Sequence, residues 1–356
     1  MDPHPTKQAQ LGQAQRISLL PHAYKRSRFF AVFLICCGLM IAGFAISGVW
    51  YNNGGDWLKD SGSFLPKDTA EGEQEDEQKS GGSSEKEEST TSAPEALPPG
   101  AVPVTAADLC PPSVGWWMID NQTPYSPDLQ ALLGRSVSSS PTEAPLVLVL
   151  HTHASEGYLP KGTAYIQGDI GKATYSKEQS QNVLAVGKTL CDTLNKKGIT
   201  AIHCTVMHDE GGMQGAYGRA LESIRFFLEH YPSIRYVIDL HRDAVINEKG
   251  EYLKSVFEID GESVAQVMAV VGSDGGGSEC KNWEGNLALA LQLGALLNRD
   301  GARMCRPLSL RNSTYNQELA PYSLLLEIGT GGNSVEEAKR AAILVGEALA
   351  SLIRSQ

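Results

Sequence analysis

The chain has 356 residues and a formal net charge of −11, and 42% of its residues are hydrophobic. That length suits one well-buried domain with appendages. No basic face or RNA-binding signature relieves the acidic balance, which excludes a nucleic-acid-binding role.

Residues 1–28 carry Lys7, Arg16, Lys25, Arg26 and Arg28 against Asp2 alone among the acids. The stretch that follows, "FFAVFLICCGLMIAGFAISGVWY" over 29–51, has no charge. About 20 apolar residues cross a bilayer as a helix. Basic residues precede the stretch and none follow closely, so 1–28 reads as a cytoplasmic tail and 29–51 as a transmembrane helix. A cleaved signal peptide is the competing interpretation, but its apolar region is usually shorter and no A-x-A site follows. Everything beyond residue 52 is then exported.

Residues 52–105 are rich in Gly, Ser, Glu, Lys and Pro, with few large apolar side chains after Leu65. Such a composition cannot bury enough surface to fold, and it predicts a disordered acidic linker. A globular texture occupies 106–356. Cys110, Cys191, Cys204, Cys280 and Cys305 lie in it, an odd number without C-x-x-C. A zinc knuckle and a thioredoxin motif are excluded, while disulfides and buried thiols both stay open.

"PLVLVL" (145–150) reads as a strand buried on both faces. A helix is expected over 176–198, with Val183, Val186, Leu190 and Leu194 at helical spacing and Gly198 closing it. A strand follows at 199–206, a helix at 217–232 stopped by Pro232, and a strand at 234–241. Then come a strand at 263–273, a helix at 282–301, a strand at 322–329 and a closing helix at 334–355 with Ser334 as its N-cap. This alternation predicts an α/β domain, a mostly parallel sheet with helices on both faces. Functional groups then collect at the carboxyl ends of the strands.

Three strand ends carry chemistry. "VLVLHTHASE" offers His151, His153 and Glu156; "YVIDLHRDA" offers His241, Arg242 and Asp243; "SLLLEIG" offers Glu327. Two histidines and two carboxylates at one sheet edge suit a zinc hydrolase with three protein ligands and one open position. His153 and Glu156, at i and i+3, project to one side of a turn and can share an ion. With His241 they form the expected ligand set, and Glu327 is the expected base. His151 is assigned a supporting or substrate-binding place. Arg242 is the candidate for stabilising an oxyanion or holding a substrate carboxylate. Tyr315, Asn316 and Gln317, in "TYNQELAP", are candidate substrate contacts. His203 is expected in the core or at an edge, and "MHDE" (207–210) as a turn cap rather than a metal site. Trp116 and Trp117 are expected to cover the core.

The blocks "NQTPYSPDLQALL", "HTHASEGYLP", "QNVLAVGKTLCDTLNKKGI", "IRYVIDLHRDA", "NWEGNLALALQL" and "TYNQELAPYSLLLEIG" resemble those of the stage II sporulation protein P family of spore-forming bacteria. The likeness covers about residues 116–350. It implies a zinc-dependent N-acetylmuramoyl-L-alanine amidase that also cuts peptide cross-links. It implies action on peptidoglycan between mother-cell and forespore membranes during engulfment, beside a membrane-bound lytic transglycosylase. The metal and base positions carry over onto His153, Glu156, His241 and Glu327, with Glu178 as the alternative to Glu156. Two rivals stand: a zinc carboxypeptidase, which needs an arginine such as Arg242 or Arg311 for the substrate carboxylate, and a non-catalytic wall-binding scaffold.

Overall fold

Two β-sheets, one large and one small, organise the protein in a computed structural model that describes residues 97–110 and 119–355. The expected span 29–51 and the pair Trp116 and Trp117 lie outside the described residues. Among the described residues no helix is long and apolar enough to cross a membrane.

The first elements are β1 (Ala101–Ala107), β2 (Ile119–Asn121), α1 (Leu129–Leu133), β3 (Val147–Leu150), β4 (Tyr165–Gln167) and α2 (Ile170–Ala173). Next come α3 (Val183–Lys196), β5 (Ala201–His203), α4 (Ala216–His230), β6 (Tyr236–Asp243) and β7 (Val245–Ile246). Then follow β8 (Tyr252–Ile259), β9 (Glu262–Ala265), β10 (Val267–Gly272), α5 (Trp283–Leu297), β11 (Leu308–Arg311), β12 (Tyr322–Thr330) and α6 (Val335–Arg354).

The large sheet runs β2-β11-β10-β12-β6-β3-β5. Its pairings are parallel except β10 against β12. The expected α/β architecture is therefore present, as a mixed sheet. Tyr236, Ile238 and Leu240 of β6, with Leu324, Leu326 and Ile328 of β12, face α1, α3, α5 and α6 in the larger core. Leu148 and Leu150 of β3 and Val237 of β6 face α4 and Ala320 in a smaller one. Side chains alternate along a strand, so Asp239 and His241 point to the α4 side with Val237.

The small sheet, β4-β1-β8-β7 with β9 on β8, was not legible as a separate unit. Its strand β1 crosses the expected linker boundary at 105. The segment "AVPVTAA" has no large side chain but is β-branched, and it pairs with both β4 and β8. The single strand expected over 263–273 is two strands. Buried Gln266 separates them, its N–H bonding to Ser255 and its carbonyl accepting from Gly329, so the chain changes sheets there.

The helix expected from 176 begins at Val183. Asn182 caps it, its side chain accepting from the Leu184 N–H at 3.0 Å and donating to the Ser176 carbonyl at 3.0 Å. The polar run 176–182 has no apolar face to bury and forms a turn. Ser334 caps α6 in a reciprocal box with Glu337, as its position predicts. All five described cysteines are buried free thiols.

Candidate active site

The loop leaving β3 turns sharply: the Glu156 N–H donates to the His153 carbonyl at 3.1 Å. The turn brings His153 Nδ1 to 3.6 Å from Glu156 Oε1. On the neighbouring strand β6, His241 Nδ1 lies 3.2 Å from Glu156 Oε2. The two imidazoles meet edge to face with centroids 5.1 Å apart. One ligand atom from each of His153, Glu156 and His241 falls within 4.8 Å of the others. Neutral imidazole and carboxylate are zinc donors. The 3.6 Å gap between His153 and Glu156 is too wide for a hydrogen bond and leaves room for an ion between them.

Neighbours fix two of the three candidate ligands. The Arg242 N–H donates to Glu156 Oε2 at 3.1 Å. Asp239 Oδ1 sits 3.1 Å from His241 Nε2, off the line of a hydrogen bond, and Thr152 secures that carboxylate through its N–H at 2.8 Å and its hydroxyl at 2.6 Å. A carboxylate behind a ligating histidine sets ring orientation and basicity. Burial alone would raise the Glu156 pKa. The rings of His241 and His153 and the Arg242 guanidinium reverse that and hold it well below the usual range. Burial likewise disfavours the His241 cation, but Asp239 and Glu156 outweigh it and raise the ring's pKa.

Glu327 is the register partner of His241 across β12 and β6, so both project from the same face. Its Oε2 is sealed from solvent and has no hydrogen-bond partner among the described residues, although the residue as a whole is partly exposed. Burial first, then the charge of Asp243, pushes its pKa up to about 8. A β-bulge follows directly between Glu327 and Thr330. Gly329 sits in it at φ 71°, where a Cβ would crowd Asn333 and Ala265.

Several expectations need correction. Arg242 is turned into the fold. It is 5% exposed, donates to the carbonyls of Gly157 at 3.1 Å and Thr174 at 2.7 Å, and lies over the Tyr175 ring. Side-chain alternation turns it away from His241. Asp243 pairs with Arg306 at 2.9 Å. His151 is fully buried beneath the sheet edge, against Gly187 of α3, with Nδ1 at 2.9 Å from the Leu240 carbonyl and Nε2 at 2.8 Å from His203 Nε2. Burial first, then His203, lowers its pKa to about 3, so it is a neutral brace out of reach of substrate. Glu178 is exposed in the 176–182 turn, bonded to Ser180 rather than to the cluster. Gln317 is buried and holds the Gly272 N–H at 2.8 Å and the Val270 carbonyl at 2.9 Å, so it is a structural residue.

Tyr315 and Asn316 do stand near the site. Both adopt left-handed backbone, with φ 53° and 59°, and the Asn316 side chain donates to the Tyr217 carbonyl at 2.9 Å. Tyr217, at the start of α4, packs edge-on against His153 with centroids 5.6 Å apart. Sequence reasoning missed Tyr217, which carries no local signal. It also missed Asp239, although the two-residue spacing from His241 in a strand pointed to a shared face.

A mixed α/β sheet with His153, Glu156, His241 and Glu327 at neighbouring strand ends defines an α/β protein with a candidate metal centre. The family of stage II sporulation protein P matches residues 59–350, and the chain belongs to that family. It is 30% identical over 210 residues to stage II sporulation protein P of Bacillus subtilis (strain 168), an alignment covering 55% of this chain and 48% of that protein. The match thus spans about half the relative's length. Among solved structures, N-acetylmuramoyl-L-alanine amidase AmiC2 of Nostoc punctiforme is 15% identical with a TM-score of 0.34, over 59% of this chain and 94% of that one. The CwlD amidase from Clostridioides difficile, in complex with the GerS lipoprotein, is 16% identical with a TM-score of 0.36, over 57% and 94% respectively. Such values carry no argument for function.

Proposed function

We propose that the protein is a zinc-dependent N-acetylmuramoyl-L-alanine amidase acting on peptidoglycan during forespore engulfment. The convergence of His153, Glu156 and His241, with Glu327 beside them, carries this proposal. These three side chains would hold zinc. Zinc there would polarise the amide carbonyl and acidify an attacking water to a pKa of about 7. Glu327 takes the proton from that water and delivers it to the departing nitrogen of L-alanine. Its Oε2, which accepts no hydrogen bond among the described residues, leaves a lone pair for both transfers. Asp239 keeps the His241 ring turned toward Glu156.

The same proposal includes anchoring through 29–51, exposure of the domain between mother-cell and forespore membranes, cleavage of peptide cross-links and action beside a membrane-bound lytic transglycosylase. A carboxypeptidase is less well supported, because Arg242 is held by backbone carbonyls and Arg311 pairs with Asp120 at 3.2 Å. The test is incubation of the full chain with intact peptidoglycan and mass analysis of the released fragments. Stem peptides with a free L-alanine amine, absent after chelation, support the proposal. Release of terminal amino acids alone refutes it.

A further inference from the structure

Amide hydrolysis places negative charge on the carbonyl oxygen, and Arg242, the side chain the sequence offers to meet it, is turned into the fold. Tyr217 stands where Arg242 does not. Its ring packs on His153 at 5.6 Å and 81°, and it is partly exposed. The ring it packs on belongs to the cluster of His153, Glu156 and His241. Its placement is fixed from two sides: Asn316 bonds its carbonyl at 2.9 Å, and the Tyr315 ring tilts against it at 5.9 Å. Tyr315 and Asn316 both hold left-handed backbone to do so.

We infer that the Tyr217 hydroxyl is the hydrogen-bond donor to the scissile carbonyl oxygen as that oxygen becomes an anion. The inference rests on the amidase proposal and adds to it a residue for the transition state. Water oxygen bonds to the carbonyl carbon, the carbonyl electron pair moves to its oxygen, and Glu327 takes the water proton. Tyr217 then donates to the oxyanion. On collapse the carbon–nitrogen bond breaks, and the nitrogen takes the proton from Glu327. A donor must keep its hydrogen. A phenol, whose ordinary pKa is about 10, does so at neutral pH. Tyr315 has a bracing part, since its ring supports that of Tyr217.

The test compares wild type, Tyr217→Phe and Tyr315→Phe as full zinc-loaded chains on peptidoglycan, with kcat and KM separated. Loss of one oxyanion donor lowers kcat by about 10²–10³-fold. Tyr217→Phe should show that loss in kcat with KM, zinc content and melting temperature close to wild type; Tyr315→Phe should lose less. Affinity for a phosphinic isostere of the muramoyl–alanine amide, measured on folded protein, should fall in proportion. That readout would not move for a merely structural tyrosine. A Tyr217→Phe chain within threefold of wild type in kcat and in isostere affinity overturns the inference alone. A wild type that releases no alanine-terminated peptides overturns the amidase proposal and this inference with it.

Discussion

His241 and Glu327 stand opposite each other in register on the parallel strands β6 and β12. One is bound into a cluster of donors with His153 and Glu156; the other keeps a carboxylate oxygen without a partner. In the proposed reaction the two neighbouring strands would divide the work between holding an ion and moving a proton. The bulge at Gly329, just beyond, ends the regular pairing where the site opens.

Replacing Glu327 by Gln keeps the shape and removes the base. The expected result is a fall in kcat of about 10²–10⁴-fold with bound zinc unchanged, measured by product release alongside metal analysis. Loss of zinc in step with activity would instead make Glu327 a ligand.

Asp239 stands behind His241, with Oδ1 at 3.1 Å from Nε2. Asp239→Asn should weaken zinc binding by about 10–100-fold, measured by competition with a chromogenic chelator. Unchanged affinity would show that Asp239 does not orient the ring.

Arg242 is a structural residue. Arg242→Ala removes charged donors from the Gly157 and Thr174 carbonyls and should cost about 3 kcal/mol or more in chemical denaturation. A large rise in KM with unchanged stability would restore it to the substrate.

Glu337 reports on acid stability away from the metal cluster. Burial would raise its pKa, but Lys254, the Ser334 N–H and Asn333 outweigh burial and lower it. A depressed folded-state pKa gives stability that is fully present above the unfolded value of about 4.3 and is lost as pH falls through the folded value. Glu337→Gln should therefore be less stable than wild type at pH 7, and the difference should shrink below about pH 4. A difference that persists at low pH would assign the effect to the cap geometry alone.

The main sheet was legible because Val147–Leu150 is a continuous apolar run, because Tyr236–Leu240 is apolar but for Asp239, and because Val183, Val186, Leu190 and Leu194 repeat at helical spacing. His153, Glu156 and His241 were legible from their places at the ends of those strands. The small sheet was hidden because β1 has no large side chain and its partners lie far along the chain. Gln266 sits within an apolar run, so the change of sheets left no mark in the pattern. Arg242 was misread for a local reason: a strand turns consecutive residues to opposite faces, and of this pair His241 faces α4 while Arg242 faces away. Tyr217 reaches His153 through the crossover of α4, a contact no sequence spacing encodes.

The most direct test of the account is anomalous diffraction at the zinc edge from crystals of the protein grown with zinc. The account predicts one strong peak bounded by His153, Glu156 and His241, with Glu327 beside it but outside the ligand shell. A peak elsewhere, or none among these three side chains, would contradict it.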